Sequence, residues 1–398
     1  MTTTINNEHK KLNVPNLRFP EFSGEWEKCK LGEISSFAKS RINSSQLDES
    51  NYISTENMLQ DFQGVVDAKS VPTDINVFSF EEGDILISNI RPYLKKVWKA
   101  NFSGGCSADV FVLKANKEVN SNFLHYVIAS DKFINFVMSG AKGVKMPRGD
   151  KEQMKTYSLS VPSTNEQIKI AKLLSLLDER IATQNKIIED LKKLKCAIIE
   201  KVLNDSYYDN LRLGDVGSYI RGLTYNSNDV VVYAGTLVMR SNNIVNGSSL
   251  DYKNNVVSVN KQISQEQQLQ KGDIVICMAN GSSTLVGKSS FYDGKCSFPI
   301  TVGAFCGIYR SKMPVTKWLF QTNRFRRYIW KSLQGGNGAI ANLNGEDILR
   351  MQFPIPDKQT AERCTKLLSS LDSLIESDVS LCSKYSQQKE YLLCQMFI

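Results

Sequence analysis

Lys172-Leu173-Leu174-Ser175-Leu176-Leu177-Asp178 returns almost letter for letter as Lys366-Leu367-Leu368-Ser369-Ser370-Leu371-Asp372, 194 residues later. From the first copy onward, residues recur at alternating steps of four and three: Ile170, Leu174, Leu177, Ile181, Gln184, Ile188, Leu191, Lys195, Ile198 and Val202. The same offset gives Cys364, Leu368, Leu371, Ile375, Asp378, Cys382, Tyr385, Lys389, Leu392 and Met396. That period, about 3.5, is a coiled-coil seam, and polar residues interrupt both copies at the same two places. Neither Gly nor Pro occurs from Glu166 to Leu203 or from Ala361 to Ile398, and Pro162 and Pro356 precede the two stretches. Ser163 with Glu166 reads as a capping box and Asp357 as an N-cap. Two helices of about 38 residues, each roughly 57 Å long, are expected. A helix of that length has no globular core of its own to cover its stripe, so the two are expected to partner each other, with ordinary amphipathic helices as the plainer alternative.

The chain has 398 residues, 41% apolar and 23% charged, which suits two globular domains rather than disorder. No apolar run approaches the length of a membrane span and the first dozen residues are polar, so no membrane segment or secretory signal is expected and the cytoplasm is the expected location. Nine cysteines without a Cys-x-x-Cys, and only His9 and His125 as imidazoles, fit neither a disulfide framework nor a usual zinc site. The net charge of +8 is modest, and residues 204–360 carry +6 of it against +1 for residues 1–160. Arg91, Lys95, Lys96 and Lys99 form one acid-free run; Arg310, Lys312, Lys317, Arg324, Arg326, Arg327 and Lys331 form another. Such runs are often solvated faces; placed at equivalent points of a repeat they become candidate polyanion contacts.

The repeat extends beyond the helices. After a loose tail (residues 1–25), Leu31-Gly32-Glu33-Ile34 and Leu213-Gly214-Asp215-Val216 open short helices in the same way. Strands at Tyr52-Ile53-Ser54 and Leu237-Val238-Met239 run towards Asn57 and Asn243. Buried strands follow at Gly83–Ile87 and Gly272–Ile276, then further strands ending at Val110–Leu113 and Ala304–Tyr309. One helix is expected from about Ser121 to Met138 and one from about Thr316 to Leu333, each followed by a glycine-rich turn and a last strand. The expected divisions are a domain at 26–162, a helix at 163–204, a domain at 205–356 and a helix at 357–398. No βαβ alternation is present, so the class is α+β, with small mixed sheets in each domain.

Gly281-Ser282-Ser283-Thr284-Leu285-Val286-Gly287-Lys288-Ser289 resembles a phosphate-binding loop but has five residues between its glycines where four are needed, and Ser88–Lys96 in the first half has no glycine. No Pro-Pro or Gly-x-Ser-x-Gly occurs, and His125 sits among Phe123, Leu124 and Tyr126. A binding protein remains. Its candidate nucleic-acid contacts are Asn57, Arg91, Lys95, Lys96, Lys142, Lys145 and Arg148 in the first half. In the second they are Asn243, Ser282, Ser283, Lys288, Arg324, Arg326, Arg327 and Asn337.

The paired Pro-to-Leu-Asp segments (Val161-Pro162 through Asp178; Ile355-Pro356 through Asp372), the paired Leu-Gly-Glu/Asp starts and the paired Gly-Asp-Ile-Leu/Val strands resemble the specificity subunits of type I restriction-modification systems. The resemblance covers nearly the whole chain. Glu166-Gln167 departs to Thr360-Ala361 in the second copy. The resemblance implies two target-recognition domains separated by two long antiparallel coiled-coil helices, each domain reading half of a split double-stranded DNA site. It implies no catalytic role and no metal for this chain. Two methyltransferase subunits, and restriction subunits through the complex, would be the partners, and S-adenosylmethionine, ATP and Mg2+ would belong to them. A coiled-coil adaptor that binds proteins through two globular heads is the alternative, and a self-contained modification enzyme a third reading.

Overall fold

The computed structural model describes residues 13–143, 145–204, 207–232, 235–333 and 341–398. The chain divides into two compact units: the first ends at Thr183 and takes in Cys382–Ile398, and the second is Gln184–Leu381. The long helices, Thr164–Leu203 and Lys358–Met396, thus each contribute to both units instead of forming separate domains.

In the first unit, Ser35–Phe37, Val110–Ala115, Ile85–Ser88 and Val97–Lys99 make an antiparallel sheet in that spatial order. A second sheet runs Arg41–Asn43, Asn76–Phe80, Gly104–Cys106, Tyr52–Ile53, its last pair parallel. Side chains alternate across a strand, and the fully buried Ile85–Ser88 serves two cores. Ile85 and Ile87 face the cluster containing Phe123, Phe133 and the long helices. Leu86 joins Ile53, Phe80 and Cys106 on the second sheet's side. Gly83 holds φ +94° at the turn before this strand, a conformation that favours glycine.

The second unit repeats the first sheet: Gly217–Arg221, Cys306–Ser311, Ile274–Cys277 and Ser289–Phe291 lie in the same order with the same antiparallel pairing. Its other sheet departs. Val257–Val259 pairs with Thr236–Met239, whereas its counterpart Asn76–Phe80 pairs with Gly104–Cys106. The last two strands have exchanged places.

Two expected helices are each broken in two. Ser121–Ile128 and Asp131–Ser139 are separated where the Ser130 hydroxyl caps the second piece by accepting from Phe133 N. Thr316–Leu319 and Asn323–Leu333 are separated where Thr322 Oγ1 accepts from Phe325 N. A short helix, Lys151–Lys155 or Gly345–Leu349, precedes the last strand of each unit; Asp150 and Asn344 cap them.

The long helices do find globular cores, contrary to the expectation that they serve only each other. Ile170, Leu174, Leu177, Leu392 and Met396 belong to the main core of the first unit; Ile199, Leu203, Cys364 and Leu368 belong to that of the second. None of the seam residues Leu174, Leu177, Ile181, Ile188, Leu191, Leu368, Leu371, Ile375 and Leu392 is exposed. At the second helix start, Asp357 Oδ1 accepts from Thr360 N at 3.1 Å. Glu166 instead gives both carboxylate oxygens to Arg18, at 2.8 Å each. The segment from Asn13 onward, expected as part of a loose tail, is therefore pinned to the first unit, with Leu17 N also donating to Gln395 O. Residues 1–12 and the turn Gln334–Gly338 lie outside the described residues.

Candidate nucleic-acid interface

In the first unit, two stretches far apart in sequence meet at one edge. The turn at Ile90–Leu94 links the central and edge strands of the first sheet, and Arg91 N donates to Pro147 O at 2.8 Å. Gly149 N donates to Asn89 O, and Lys142 and Arg148 exchange both backbone hydrogen bonds, forming a small hairpin. This brings Arg91, Lys142, Lys145 and Arg148, all exposed, to one side of the fold. Lys142 Nζ lies 3.1 Å from Asp150, and Arg148 lies 3.5 Å from Asp109. Such exposed pairs contribute little and exchange readily for phosphate.

Two neighbours in the run are committed elsewhere. Lys95 Nζ lies 2.8 Å from Asp131, a hydrogen bond that raises its pKa. Lys96 Nζ donates to Thr55 O at 2.6 Å, and burial lowers its pKa. Asn57 and Asn243, expected at DNA, are corrected to structural roles. The Asn57 amide donates to Tyr52 O and Val66 O and its oxygen accepts from Ser54 N; Asn243 donates to Asp251 O and Asn254 O and accepts from Arg240 N. Both are buried, which leaves no amide hydrogen for a base.

The second unit builds the same edge from other residues. Ala279–Asn280 pairs with Ala341–Asn342, where the first unit pairs Ile90 with Arg148. Ser282 and Ser283 are exposed, Lys288 is half-buried, and Asn337 lies outside the described residues. The loop turns through Ser283–Leu285 into a strand, not into a helix, which removes the last likeness to a phosphate-binding loop. On the helix Asn323–Leu333, Phe325 and Ile329 face inward while Arg326, Arg327 and Trp330 face out. Arg324 is half-buried and donates to Asn210.

The two basic runs are not equivalent points of the repeat, a second correction. The counterpart of the Arg91 turn is the Ser283 turn; the counterpart of the Arg326 helix is Asp131–Ser139, whose exposed face carries Asp131, Lys132 and Asn135. Trp330, 62% exposed, stands on the outward face of its helix with Arg326 and Arg327, and the Phe305 carbonyl accepts from Met278 N and Ala279 N while its residue stays exposed.

No group of three His, Cys, Asp or Glu side chains able to hold a metal occurs among the described residues. His125 has its Nδ1 enclosed without a partner, and burial lowers its pKa to about 4. A neutral imidazole in a helix against the core suits packing. Among the described residues, no helix is long and apolar enough to cross a membrane.

Residues 23–193 match the Type I restriction modification DNA specificity domain. The sequence is 23% identical over 405 residues to the type I restriction enzyme MjaVIII specificity subunit of Methanocaldococcus jannaschii, covering 93% of this chain and 90% of that protein. It is 31% identical over 168 residues to the StySPI specificity subunit of Salmonella potsdam, covering 40% of this chain and 35% of that one. The fold is similar to the crystal structure of the type I restriction-modification S subunit from M. genitalium, with a TM-score of 0.62, 15% identity, and coverage of 97% of this chain and 99% of that one.

Proposed function

We propose that this chain, which belongs to the type I restriction-modification specificity subunits, reads a split double-stranded DNA site, the first unit one half and the second unit the other. A single observation carries this. The same sheet order and the same turn between its central and edge strands are built twice, with Arg91 and Arg148 near one turn and Ser282 and Ser283 at the other. One scaffold with different side chains at one place suits an asymmetric target. The protein-binding adaptor is set aside by the likeness to named specificity subunits.

The chain assembles with other subunits of its system. We take two methyltransferase subunits as the direct partners and restriction subunits as joining through them, in the cytoplasm. S-adenosylmethionine, ATP and Mg2+ belong to those partners, and this chain contributes recognition without catalysis. The long helices set the number of base pairs between the half-sites.

Sequencing methylated bases in host DNA, with and without this chain, tests the proposal. A split motif methylated only when the chain is present supports it; a methylation pattern unchanged by its removal refutes it.

A further inference from the structure

The turn that carries Arg91 is built in an uncommon way. Six non-glycine residues have positive φ among the described residues, and four of them meet here: Asp61, Phe62, Arg91 and Lys95. Arg91 (φ 50°) and Lys95 (φ 53°) bracket the single turn Pro92-Tyr93-Leu94. Side chains with a Cβ rarely adopt this conformation, so the surrounding structure must impose it. It does so from both sides. Asp61 N donates to Leu94 O at 3.1 Å and Phe62 N to Lys95 O at 3.0 Å, while Arg91 N is held by Pro147 O at 2.8 Å. Pro92 is buried and fixes its own φ, so the turn is anchored at its base.

This frame lifts Tyr93 out of the fold. The side chain is 48% exposed, and among the described residues neither its ring nor its hydroxyl has a partner. Exposed Arg91, Lys145 and Arg148 lie in the same two loops, and Met146 beside them is 47% exposed. An aromatic on a turn whose backbone is already fixed loses little conformational freedom on binding, and the exposed cations of the same two loops suit a phosphate backbone. Thr284, exposed, is the middle residue of the corresponding turn of the second unit as Tyr93 is of its own, so the two units offer different side chains from one position of one scaffold.

We propose that Tyr93 is a specificity-determining residue of the first unit, contacting a base edge in its half-site while the neighbouring cations hold the backbone. This rests on the reading of the first unit as a half-site reader. The test uses the complex assembled with its methyltransferase subunits, with binding and methylation measured on a library varied at every base pair of the wild-type target. Tyr93→Ala is expected to abolish preference, by tenfold or more, at one or two adjacent base pairs of one half-site, with the other half-site and the salt dependence unchanged. Tyr93→Phe assigns the contact to the ring if preference is kept and to the hydroxyl if it is lost. Unaltered preferences in Tyr93→Ala would overturn the proposal, as would equal weakening on every sequence. A wild-type complex with no sequence preference would instead refute the DNA-reading function itself.

Discussion

Lys389 Nζ lies 2.5 Å from Asp178 Oδ1 in the first unit. The second unit contains the same pair exchanged: Lys195 Nζ lies 2.6 Å from Asp372 Oδ1, and each residue is 194 positions from its counterpart. In each unit the start of one long helix is clasped to the end of the other, antiparallel. The lysines that look like gaps in the apolar seam are therefore its ion-paired positions. Tyr126 also donates to Asp178 at 2.8 Å, whereas Asp372 has Lys317 Nζ at 2.8 Å as its second neighbour.

Breaking these clasps should have unequal costs. The side chains of Lys195 and Asp372 are 8% and 11% exposed, against 23% and 39% for Lys389 and Asp178. Asp372→Asn strands two enclosed ammonium groups and is expected to lower stability by about 3 kcal/mol or more, while Asp178→Asn costs about 1 kcal/mol. Urea titrations of both variants check the order; equal losses would contradict it.

Asn57→Ala and Asn243→Ala should behave as stability variants. Each removes three hydrogen bonds to backbone groups in a buried position, at about 1–3 kcal/mol. Melting temperature should fall while the preferred DNA sequence of the folded complex stays the same. A changed target with unchanged melting would return these residues to the interface.

Lys142→Ala and Lys145→Ala should weaken DNA binding alike on all sequences, each reducing the slope of log affinity against log salt by roughly one. Binding measured at several salt concentrations gives the slope. An unaltered slope for both would move the backbone contacts off this hairpin.

Acid should weaken the first unit through His125. Its folded pKa is lowered to about 4, chiefly by burial, while the unfolded chain takes up a proton near pH 6.5. The unfolded state then binds more protons between those values, so stability falls as pH drops from about 6.5 towards 4. The slope is at most about 1.4 kcal/mol per pH unit, and less because the residue is only half-buried. His125→Gln should flatten it in urea titrations across this range; an identical slope would assign the acid sensitivity elsewhere.

The long helices were legible because a period of 3.5 is a local property: every residue of both seams from Ile170 and Cys364 onward avoids full exposure. The buried strands were legible for the same reason, as short apolar runs rich in β-branched residues (Ile85 and Ile87; Ile274, Val275 and Ile276) after a Gly-Asp turn. The helix breaks at Ser130 and Thr322 were not, since a hydroxyl caps a helix only where packing already bends the chain. The edge at Arg91 and Arg148 depends on backbone bonds across 56 residues or more, Arg91 to Pro147 among them, which no local pattern records. Asn57 and Asn243 misled because a polar residue after a strand reads as exposed until the carbonyls that enclose it are known.

The most direct test of the two-reader account is to replace residues 207–355 with the corresponding stretch of a specificity subunit that has a different target, and to sequence the methylated bases. The account predicts a hybrid motif, with one half-site taken from the donor and the other unchanged. Both half-sites changing together would contradict it.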